Sequence, residues 1–122
     1  MKKMTNDEIY SYAIKLNEAF ADNSQKLPVK INFYLQKNKT ELLNLAQAIE
    51  TTRADLIREY GAELEDGSYQ IPEENISAVN KEINELSKLT QEVKIYTVKI
   101  EDFPEDISLT TAQMEALMFM ID

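Results

Sequence analysis

From Val29 to Gly61 the chain reads as one long helix, and the other segments have to be placed by how they cover it. Leu35, Leu42, Ile49 and Leu56 recur at every seventh position, with Ile31, Asn38, Leu45 and Thr52 three or four residues away, the a/d pattern of a coiled-coil seam. Pro28 stands where a missing N–H costs nothing, and Gly61 where a left-handed C-terminal cap is expected. Such a helix runs roughly 50 Å at ~1.5 Å per residue, too far for one short neighbour to bury. Asn38 interrupts the seam, and two readings stay open: a polar group that fixes register or oligomeric state, or one that faces water beyond the covering helices.

The flanking segments supply the cover. Thr5-Asn6-Asp7-Glu8 is a capping box, and Ile9, Ala13, Leu16 and Phe20 continue from it on one helical face, ending at the polar Asp22-Asn23-Ser24-Gln25. After the long helix, Ala62 to Ile71 alternates around Asp66-Gly67, the favoured pair of a two-residue type I′ hairpin. Pro72 opens a third helix with Ile76, Val79, Ile83 and Leu86 on its seam. From Glu92 to Ile100 the period changes to two, which predicts a strand, expected to pair with the hairpin. Thr110 and Gln113 form a second capping box, and the helix they open ends in Leu117-Met118-Phe119-Met120-Ile121.

The expected fold is therefore a single domain over residues 1–122, mainly α with a small antiparallel β-sheet (α+β). A long central helix lies in an antiparallel helical body, with a β-hairpin plus one strand at one end and a short C-terminal helix. On that last helix Met114, Leu117 and Ile121 share a stripe expected to pack inward. Met118, Phe119 and Met120 are then candidates for a partner or homodimer interface, unless the body wraps both sides of the helix.

Composition removes several chemistries. There is no cysteine and no histidine, so thiol nucleophiles, thiolate zinc sites and imidazole acid–base catalysis are excluded. The two glycines leave no Gly-rich phosphate loop, and the carboxylates lack calcium-loop spacing, so no cofactor or metal is expected. The excess of 22 acidic over 13 basic side chains, a formal charge of -9, opposes direct contact with nucleic acid or anionic membrane. A cytoplasmic protein is expected, with no apolar run long enough to span a bilayer. Glu82, Glu85, Glu101, Asp102, Glu105 and Asp106 make a candidate acidic interaction surface. Arg53 and Arg58, the two arginines, are candidates for an anion contact, with intrahelical pairs to Glu50, Asp55 or Glu59 as the competing explanation.

Several segments taken in order resemble a family of small, functionally uncharacterised proteins encoded by tailed phages and prophages of Gram-positive bacteria. They are Leu27-Pro28-Val29-Lys30 leading to Lys37-Asn38, then Arg58-Glu59-Tyr60-Gly61, Asp66-Gly67 and Asn80-Lys81-Glu82-Ile83-Asn84-Glu85-Leu86. Glu92-Val93, Leu109-Thr110 and Met118-Phe119-Met120-Ile121-Asp122 complete the series. The resemblance covers Leu27 to the last residue, leaves the first helix outside, and implies a viral accessory or assembly protein. With the composition, it leads to the expectation of a non-enzymatic protein-binding protein whose partner is a virion component or a host factor. Two alternatives stand beside it: an acidic nucleic-acid mimic that blocks a host DNA/RNA-binding defence enzyme, and a small-molecule-binding protein.

Overall fold

Thr5 and Glu8 close the first capping box, each side chain accepting from the other's backbone N–H at 3.0 Å, and so satisfy two of the amides that a helix start leaves free. Helix α1 (Asn6–Ala19) follows and buries Ile9, Ala13 and Leu16. The computed structural model describes residues 1–21 and 27–122, so the polar stretch expected to end this helix, Asp22 to Gln25, lies outside the described residues. Helix α2 (Val29–Tyr60) is uninterrupted. The chain is mainly α with small antiparallel sheets, the class expected.

Two shorter helices divide the length of α2 between them. Helix α3 (Glu73–Lys88) begins beside the end of α2, where Asn75 Nδ2 donates to the orphan carbonyl of Tyr60 at 2.9 Å. It ends beside the start of α1, where Asn6 donates to Leu86 O through its side chain and to Leu89 O through its backbone. Helix α1 therefore covers the first part of α2 and α3 the second. The burial follows this division: Ile31, Leu35, Asn38, Leu42 and Ala46 are buried on α2, whereas Leu45, Ile49 and Leu56 are half-buried and Thr52 is exposed. The buried stripe moves from Leu42 to Ala46 rather than Leu45 because a straight helix drifts away from a strict seven-residue repeat.

Gly61 does not take the left-handed cap expected of it; its backbone is extended, at φ -100° and ψ 164°. A Cβ there would stand 2.5 Å from Ile57 O, so the residue is small for close approach rather than for a positive φ. Strands β2 (Ala62–Glu63) and β3 (Tyr69–Gln70) then form the hairpin. Its turn is one residue longer than the expected type I′. Gly67 N donates to Leu64 O, Leu64 N donates to Ser68 O, and Gly67 at φ +85° occupies the left-handed bulge position of a three-residue loop.

The strand expected over Glu92–Ile100 is shorter and has a different partner. Strand β4 (Thr90–Val93) pairs with β1 (Lys2–Thr5), Lys2 opposite Val93 and Thr5 opposite Thr90, while the hairpin pairs only with itself. The reason is position. The hairpin lies at the start of α3, a helix length of ~24 Å from where β4 begins, while the first residues of the chain lie alongside β4. Met4 and Val93 are both fully buried there. Beyond Val93 the chain crosses the first half of α2 without a regular ladder. Tyr96 is held by Asn38, Val98 meets Ile121 in a parallel bridge, and a 3₁₀ turn (Ile100–Asp102) brings Asp102 to Lys30.

Helix α4 (Thr111–Leu117) opens on the second capping box and is tied to the end of α1 by Gln113 Nε2 donating to Ala19 O at 3.2 Å. It stops at Leu117, where a 3₁₀ turn (Met118–Met120) redirects the chain onto Val98.

Candidate functional site

The turn after α4 redraws the interface expected at the end of the chain. Phe119 and Met120 are core residues, 6% and 0% exposed, and only Met118 faces solvent, at 65%. Met114, expected inward, is 40% exposed. Of the stripe expected inward, Leu117 is fully buried and Ile121 packs half-buried against the core, so Met114 alone departs from it. Phe119 packs on Tyr12 of α1 with ring centres 4.8 Å apart, so the turn buries Phe119 and Met120 and leaves Met118 outside.

The two arginines do not converge. Arg53 pairs with Glu50 at 3.6 Å and Arg58 with Asp55 at 3.4 Å, both one turn away on exposed helix surface, which is the intrahelical arrangement and not a clamp. The six acidic candidates also divide. Glu85, Glu101, Glu105 and Asp106 are exposed and form no ion pair with a described residue. Glu82 is half-buried beside Tyr60, and hydrogen bonding to Glu82 pushes the Tyr60 hydroxyl above its ordinary pKa, with burial and the charges of Glu82 and Glu59 adding to the effect. The second oxygen of that carboxylate, Oε2, is buried and makes no hydrogen bond of standard geometry.

Asp102 is a fastener and not free surface. Its Oδ2 accepts from Lys99 N at 3.0 Å and from Lys30 Nζ at 3.3 Å. The Lys99 amide, with help from Lys30, holds its pKa below the usual carboxylate value. A carboxyl that ionises more readily when folded adds stability above its unfolded pKa and loses it as pH falls through the lower folded value. Asp102→Asn is therefore expected to flatten part of the acid limb of a stability–pH curve; an unchanged acid limb would mean the Lys99 and Lys30 contacts contribute nothing in solution.

An apolar groove of about 290 Å³ lies between this loop and α4, lined by Ile100, Phe103, Ile107, Leu109, Met114 and Ile121. Its front wall is made by short turns in which Asp102 N, Phe103 N and Ile107 N each donate to the carbonyl three residues earlier. This pitch of three brings Ile100 and Phe103 to one side. The carboxylates of Glu101, Glu105 and Asp106 alternate with them in sequence and stay exposed. Ile100 is 61% exposed, so a large apolar side chain of the groove reaches solvent next to the exposed Glu101. By charge alone this loop reads as an acidic surface; the apolar residues at 100, 103 and 107 are the sequence signal that it also builds a wall.

A second groove, of about 280 Å³, is lined by Phe33, Gln36, Lys37, Thr40 and Glu41 of α2 and by Lys94 and Tyr96. No group of three or more acidic side chains among the described residues is placed to hold a metal ion, and no helix among them is long and apolar enough to cross a membrane. Compared with known proteins, the chain matches no family model, no curated protein and no solved structure.

Proposed function

We infer that the protein is a non-enzymatic, phage-type accessory protein of the host cytoplasm that works by binding another protein, in virion assembly or against a host factor. The observation that carries this reading is the apolar groove bounded by Ile100, Phe103 and Met114, in a loop that also carries the exposed Glu101, Glu105 and Asp106, which form no ion pair with a described residue. An apolar slot takes an anchoring side chain, and neighbouring carboxylates favour an anchor carried on a basic segment. The absence of histidine and cysteine agrees with a binding role.

Affinity capture from the host cell with wild-type protein, with Ile100→Ser/Met114→Ser and with Glu101→Gln/Glu105→Gln/Asp106→Gln tests it. A protein retained by wild type and lost with the serine variant is the expected result. An identical set of proteins on wild-type and serine-variant resins would overturn the groove as the binding surface. The acidic-mimic reading draws on the same unpaired carboxylates, and it predicts the reverse: capture of a nucleic-acid-binding enzyme that survives the serine changes and is lost with the glutamine variant.

A further inference from the structure

The second groove is an electrostatic exception on an acidic protein. Lys37 Nζ lies 5.3 Å from the centre of the Tyr96 ring and 5.7 Å from that of Phe33, and Lys94 Nζ lies 5.2 Å from the Tyr96 ring. Neither ammonium forms an ion pair with a described residue, although acidic side chains outnumber basic ones by 22 to 13. Both ammonium groups neighbour the Tyr96 ring, which places them about one Debye length, ~10 Å, apart at most, and they repel. Cation–π contact offsets part of that repulsion. An anion seated between them would remove it.

The floor of the groove is rigid. Asn38 takes both backbone groups of Tyr96, its Oδ1 accepting from Tyr96 N and its Nδ2 donating to Tyr96 O, each at 2.8 Å. The Tyr96 ring is further held at 5.6 Å from that of Tyr34. Phe33 is 56% exposed and offers a second aromatic face. Gln36 and Thr40 add an amide and a hydroxyl to the lining, and Glu41 adds a carboxylate. The volume, about 280 Å³, falls just short of the ~300 Å³ at which sites for drug-sized ligands begin, so only a small ligand fits.

We propose that this groove is a binding site for a mononucleotide-sized ligand, a planar base carrying one phosphate. The phosphate meets Lys37 and Lys94, the base rests against the exposed ring of Phe33, and Gln36, Thr40 and Glu41 meet the polar edges of base and sugar. The charge of -9 sets the conditions for such a site. It repels an anion at long range and limits the rate of encounter, while the two lysines act at contact. The inference is independent of the apolar groove and of the protein-binding role.

The test is a titration of the full chain with adenosine 5′-monophosphate, adenosine and inorganic phosphate, followed by backbone amide NMR. Saturable shifts at Lys37, Lys94 and Tyr96 with the monophosphate, and weaker binding of adenosine and of phosphate, are expected. Lys37→Gln/Lys94→Gln should weaken the monophosphate at least tenfold without lowering the denaturation midpoint, because both lysines are exposed. Arg53→Gln/Arg58→Gln, which alters paired cations elsewhere, should leave binding unchanged. Absence of saturation at millimolar ligand, or equal binding by the lysine variant, would overturn the site. Phosphate binding as tightly as the monophosphate would overturn the role of the Phe33 ring and leave a simple anion contact.

Discussion

Met120→Glu is expected to unfold the protein at neutral pH, whereas Met118→Glu, two residues away, is expected to leave the denaturation midpoint nearly unchanged. Met120 is fully buried and its sulfur lies 3.5 Å from Asn38 Nδ2. An unpaired carboxylate in such a site costs several kcal/mol after relaxation, a large part of the roughly 5–15 kcal/mol that holds a domain together. Met118 is 65% exposed, and surface substitutions of its kind usually stay within about 0.5 kcal/mol. Chemical denaturation followed by far-UV circular dichroism separates the two, and sedimentation of wild type and Met118→Glu adds the oligomeric state. Equal losses in both variants would mean that Met118 is covered in solution, and a wild-type dimer made monomeric by Met118→Glu would identify the cover as a second copy.

The contrast between these neighbours shows what the sequence could and could not convey. The helices were legible because each carries its own signals: the Thr5 and Thr110 capping boxes, the helix-opening Pro28 and Pro72, and apolar spacing near 3.6. What happens after Leu117 was not. An apolar run has no period, so nothing local says that the helix becomes a 3₁₀ turn there; that follows from Val98, whose N–H donates to Met120 O and whose carbonyl accepts from Asp122 N. Strand β1 was hidden for a similar reason. Lys2-Lys3-Met4-Thr5 has a single apolar residue, and it becomes a strand because β4 begins beside it. The grooves lay between these cases. Phe33, Lys37 and Thr40 follow a helical stripe on α2 that could have been read, but Lys94 and Tyr96 join them only through the path of the chain after β4.

That path depends on Asn38, and its replacement is expected to be as damaging as a core truncation. The sequence left open whether Asn38 fixes a register or faces water. It is fully buried, and it meets the N–H and C=O of Tyr96 with paired 2.8 Å hydrogen bonds, as a neighbouring strand would. No other bond to those two groups occurs among the described residues. Asn38→Leu keeps the heavy-atom count and branching, though it is bulkier, and orphans both, at about 1–3 kcal/mol each where water cannot reach, so a loss of several kcal/mol is expected, with the 94–98 segment losing hydrogen-exchange protection first. Asn38→Asp gives a sharper signature. The carboxylate can still accept from Tyr96 N–H but has no donor for Tyr96 O, and burial would raise its pKa above the unfolded value. A carboxyl whose folded pKa is raised gains stability as pH falls through that value, so Asn38→Asp should recover on mild acidification, opposite to the wild-type trend expected from Asp102. Stability of Asn38→Leu at or above wild type would show that the Tyr96 contacts are not maintained in solution, and with them would go the rigid floor of the lysine-lined groove.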